Sequence, residues 1–122
     1  MLNSYMLTVY LKYFFEHLNK FDYLDCYKFM KDNNPSPPIN NSEEIEKLHY
    51  DILLNNKNIS LENQYEIVKK RIIEFREYLN TYNLLDDYMK VRLNAMEELI
   101  LPSTINYLNR RRRVRELRRG YK

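Results

Sequence analysis

The chain has 122 residues, 44% of them hydrophobic, 30% charged and 14% aromatic, and its 20 Lys and Arg against 17 Asp and Glu give a net charge of +3. One domain of this length buries a core without disulfides or structural metal, and 12 Tyr, 5 Phe and 5 Met supply bulky material for it. A single glycine excludes P-loop and GxGxxG turns, while one cysteine and two distant histidines exclude a disulfide and zinc-ligand spacing, so no cofactor and a reducing, cytoplasmic setting are expected.

The most apolar stretch, Tyr5 to Phe15, is too short to span a bilayer, is interrupted by Lys12 and has no basic leader, so neither a signal peptide nor a membrane span is expected. Leu2, Met6, Val9, Tyr13 and His17 recur at helical spacing, widened by Tyr10, Phe14 and Leu18, and predict a first helix. Asp22, with Asp25 three residues later, predicts a capped second helix that turns Leu24, Tyr27 and Met30 inward and ends near Lys31. Residues 32–42 carry three of the four prolines and read as the one long loop. Asn41 followed by Glu44 predicts the start of a third helix with Ile45, Leu48 and Ile52 (with Leu53) on its apolar face. Ser60 then caps a fourth, where Leu61, Tyr65, Val68, Ile72, Phe75 and Leu79 make one continuous stripe. After a turn at residues 81–83, Leu85, Tyr88, Met89, Ala95, Met96, Leu99 and Ile100 predict another helix, and Pro102 with Ser103 a break and a restart toward Arg119. No segment alternates apolar and polar residues, so the expected class is all-α, a single bundle of about six to eight helices.

Charge divides the chain into a helical bundle, residues 1–109, and a basic C-terminal end, residues 110–122. The end carries +7, including Arg110, Arg111, Arg112, Arg113, Arg115, Arg118 and Arg119, and the rest carries −4. Such a density of arginine repels itself unless an anion, an acidic protein surface or the negative end of its own helix offsets it. An acidic protein surface, an anionic membrane surface and nucleic acid phosphates all suit it, the last as in a ribonucleoprotein. No stacking aromatics interleave the arginines, and no nucleic-acid fold motif accompanies them.

Catalysis is not expected. Asp86 and Asp87, like Glu97 and Glu98, are neighbours in sequence and diverge on a helix. Cys26 reads as a small buried apolar residue and His17 as a core-edge histidine.

In order and spacing the pieces resemble a divergent regulator of G-protein signalling domain, over about four fifths of the chain. The segment LDDYMKVRLNAMEELILPSTI, residues 85–105, matches the family's aromatic-Asp-Glu, Met-Glu and Pro positions through Asp86, Asp87, Met96, Glu97 and Pro102. ISLE, residues 59–62, resembles its Ile-Asn-Leu-Asp, while YLKYFFEHL and LDCYKFMK resemble its early Phe-x-x-Phe-Leu helix and the helix that follows. The resemblance implies a helical bundle that holds the switch segments of a G-protein α subunit in the geometry for GTP hydrolysis. The family's contact positions fall on Asp22 or Tyr23, Ser60, Leu99 and Ser103, and at least three of the four contact groups are replaced. A surface without them gains nothing at the transition state, so the fold is expected without the activity. The expectation is therefore a non-enzymatic helical protein-interaction domain, a scaffold or assembly subunit, docking on an acidic partner through its basic end. GTPase activation of an α subunit and nucleic-acid association are the alternatives.

Overall fold

The computed structural model describes residues 2–120 of the chain, with side chains as far as Arg111. All regular structure among them is helical: α1 (Ser4–Glu16), α2 (Tyr23–Asp32), α3 (Asn41–Asn55), α4 (Leu61–Thr81), α5 (Asp87–Ala95), a π-helical segment (Met96–Ile100) and α6 (Leu101–Gly120). α5, the π segment and α6 join without a gap into one rod, so the described residues form five helical bodies where six to eight were expected.

The difference lies at Pro102. A proline inside an α-helix lacks one N–H and crowds the carbonyl four residues back. The chain does not break there; it widens, with the Leu101 N–H reaching back to the Met96 carbonyl in the turn before the proline. Pro102 and Ser103 are ordinary residues of α6, and Ser103 is not an N-cap.

Caps fix most of the other starts. Asp22 accepts from the Asp25 N–H (3.0 Å), Ser60 from the Asn63 N–H (3.1 Å) and Asp86 from the Met89 N–H (2.9 Å). Asn3 serves α1 in the same way, its Oδ1 accepting from the Met6 N–H at 2.7 Å. At α3 the sequence reading fails: the capping position is Asn40, without a side-chain bond, and Asn41 is already helical.

α1 is the centre of the molecule, packed against α3, α4 and the π segment. Met6, Leu7, Tyr10, Leu11, Phe14 and Phe15 are all buried on it, a wider apolar surface than one stripe, while Leu2 stays exposed. Each such side chain contributes about 1.5–3 kcal/mol by leaving water. On α4, Leu61, Val68, Ile72, Phe75 and Leu79 are buried, and Gln64 takes the inner place expected of Tyr65. Its amide donates to the Asn56 and Ile59 carbonyls and so ties down the turn before α4. α2 turns Cys26 and Met30 inward, not Leu24, which is 44% exposed. An aromatic seam joins α2 to its neighbours, with Tyr13 stacked on Phe29 and Tyr23 on Tyr78. Its C-terminal carbonyls are closed by two tyrosines: Tyr10 donates to the Asn33 carbonyl and Tyr88 to that of Met30 (3.1 Å).

Candidate functional site

α6 is the element on which the arginines stand. Leu101, Thr104 and Leu108 are buried at a spacing of three and four residues and seat its first half in the bundle. Leu108 is the last side chain so held among the described residues, and the helix continues to Gly120, about 18 Å further at 1.5 Å per residue.

The side of α6 toward α3 is held by polar contacts. Thr104 Oγ1 lies 3.2 Å from His49 Nε2, and the His49 ring stands 4.9 Å from that of Tyr107. Glu46, one turn before His49 on α3, accepts from the Tyr107 hydroxyl (2.8 Å) and from Arg111 (3.3 Å). Burial holds the His49 imidazole below its ordinary pKa, against the opposing pull of Glu46. Burial likewise raises the Tyr107 hydroxyl, with its bond to Glu46 adding to the shift. Arg110 and Arg111 are both exposed, and Arg111 pairs with this chain's own Glu46 at the surface. The side chains of Arg112, Arg113, Arg115, Arg118 and Arg119 lie outside the described residues.

The positions implied by the family resemblance are spread over the starts of α2 and α4, the π segment and α6. Asp22 caps α2, and the Tyr23 hydroxyl donates to Glu74 (2.6 Å) on α4. Ser60 caps that same helix some four turns earlier, about 20 Å away along its axis. Leu99, in the π segment, is 67% exposed, and Ser103 is exposed on α6.

Other reactive side chains have structural settings. Cys26 is buried, and burial pushes its thiol well above the ordinary range. His17 stacks on Tyr13 at 4.1 Å with its Nδ1 2.7 Å from the Tyr13 carbonyl, at the edge of the core as the sequence suggests. Asp86 accepts from Lys31 (2.8 Å), a bond that holds its carboxyl below the usual range. Among the described residues no group of three or more His, Cys, Asp or Glu side chains is placed to share a metal ion. None of their helices is long and apolar enough to cross a membrane.

Sequence reasoning missed the Glu46, His49 and Tyr107 contacts. Glu46 and His49 stand three apart on α3 and Tyr107 and Arg111 four apart on α6, spacings that mark one face, but nothing local pairs the two faces. No family model, curated protein or solved structure matches the chain.

Proposed function

We propose that the chain is a non-enzymatic helical interaction domain that docks through the basic end of α6 on an acidic surface of a protein partner. The observation that carries this is the course of α6: buried through Leu108, it runs on as an arginine-rich helix of about three turns. A cationic helix end on a chain whose other residues carry a net charge of −4 brings many donors close together in sequence, and arginine's planar fork pairs with carboxylates two bonds at a time.

The test is charge reversal in the full chain: Arg110, Arg112, Arg113 and Arg115 to Glu, with Arg111 kept because it pairs with Glu46. Affinity purification beside the unchanged chain, at low and high salt, quantifies bound protein and nucleic acid. The expected result is a protein partner retained by the unchanged chain and lost by the variant, with equal helical content by circular dichroism. Nucleic acid as the main bound species, released steeply by salt, would overturn the reading in favour of phosphate binding.

A further inference from the structure

The longest connection among the described residues joins α2 to α3, residues 33–40, with the sequence NNPSPPIN. Covalent geometry settles most of its course. A proline holds its own φ at about −65° and drives the residue before it out of the helical region toward extended backbone, and each of residues 34–38 is a proline, precedes one, or both. With every peptide bond trans, such a run takes the polyproline II form. Both ends are fixed to the bundle. The Asn33 side-chain amide donates to the Phe29 carbonyl (2.8 Å) and the Asn33 carbonyl accepts from Tyr10, while at the far end the Asn40 carbonyl accepts from the Glu44 N–H (3.0 Å). Between them no backbone group of residues 34–39 is hydrogen-bonded to another described residue. Pro35 is half-buried; Ser36, Pro37, Pro38 and Ile39 are exposed, Ile39 fully.

From this we infer that residues 34–39 dock in an aromatic-lined groove of a partner protein, with Pro37, Pro38 and Ile39 as the side chains that enter it. Backbone chemistry selects that partner. The segment has six carbonyls but only three N–H groups, those of Asn34, Ser36 and Ile39. A sheet edge needs a donor and an acceptor from every second residue. Pro35 and Pro37 lack the donor on one side of the segment and Pro38 on the other, so no strand pairs along it. The same prolines keep it from folding into a helix on a partner. What fits is a surface that donates without needing donors in return. Tryptophan N–H and tyrosine O–H do so, each beside a flat apolar face on which a pyrrolidine ring packs. Ile39, the most exposed of the large apolar side chains among the described residues, extends the apolar contact past the prolines. Because both ends are held, little chain freedom is left to lose on docking. Residues 33–40 carry no charge, so this surface is additional to the arginine end of α6 and, unlike it, is not screened by salt.

The probe is a panel of purified SH3 and WW domains, whose grooves are of this kind, each beside a variant with a groove tryptophan replaced by alanine. Binding to the full chain is measured by fluorescence anisotropy. The expected result is that at least one domain binds and its tryptophan variant does not. Pro37→Ala combined with Pro38→Ala, and separately Ile39→Asp, should each weaken that binding about tenfold or more. All three positions are exposed, and unchanged circular dichroism would show the variants folded. Reversing the arginines of α6, or raising the salt, should leave the binding within about twofold. Binding by no domain of the panel, or binding indifferent to both variants of the segment, would overturn the proposal. Binding lost on reversing the arginines would do so too, yet would leave docking through the basic end standing.

Discussion

At the scale of single residues the chain separates side chains that hold the fold from those free to meet a partner. Cys26 belongs to the first kind. Its thiol is shut in the core and its pKa raised, so little thiolate forms and none is in reach of solvent. A thiol reagent should therefore label Cys26 no faster than the chain opens, and in denaturant at the rate of a free cysteine. Labelling of the native protein at the free-cysteine rate would contradict the burial. Asp86 has two roles that substitution can separate. Asp86→Asn keeps a capping oxygen for the Met89 N–H but loses the ion pair between the exposed Asp86 and the half-buried Lys31, a pair open enough to solvent that the change should cost only a few tenths of a kcal/mol. Asp86→Ala loses the cap as well and should cost about 1 kcal/mol more by chemical denaturation. The caps at Asp22 and Ser60 are legible in the sequence because a cap is a contact across three residues. Asp86 has the same local signature, yet the resemblance to a family motif drew it into a different reading.

At the scale of elements, legibility follows how local the cause is. The stripe on α4 is a property of one helix with one buried side, and five of its six positions are buried. α1 reads less well because it is wrapped by three elements, so a single stripe understates it. Leu24 fails for a related reason: the aromatic seam turns α2 onto its Cys26–Met30 side, which no pattern within ten residues reveals. Pro102 is the clearest case, because a proline ordinarily ends a helix and here the preceding turn widens instead. The segment is held in place by burial on both sides, at Met96 and Leu101, and by the pairing of Arg76 with Glu97. Pro102→Ala should then keep the rod continuous and raise stability by roughly 1 kcal/mol. The alanine restores a donor and a better helix propensity, and only the half-buried ring's packing and some unfolded-chain stiffness are lost. A fall in melting temperature would mean that the ring, and not the backbone, is what the π segment serves.

At the scale of the whole molecule, the seat of α6 on α3 decides how firmly the basic end is presented, and its chemistry makes it sensitive to acid. The apolar seat, Leu101 and Leu108, is indifferent to pH; the polar one is not. His49 faces Thr104 and Tyr107 from α6, with Glu46 beside it on α3 and Arg111 pairing with that acid. Burial lowers its pKa below that of the unfolded chain, near 6.5. Above that value the imidazole is neutral in both states and contributes no pH dependence. As pH falls through 6.5 the unfolded chain binds a proton that the native imidazole refuses, so stability drops by up to about 1.4 kcal/mol per pH unit until the native group also protonates. His49→Gln keeps a polar partner for Thr104 and cannot titrate. The difference in unfolding free energy between the chain and this variant should be constant from pH 8 to 7, then shift against the unchanged chain as pH is lowered to 5.5. A difference that stays flat across that range would show that the native His49 imidazole takes up its proton as readily as the unfolded chain's, and that its burial against α6 carries no acid sensitivity.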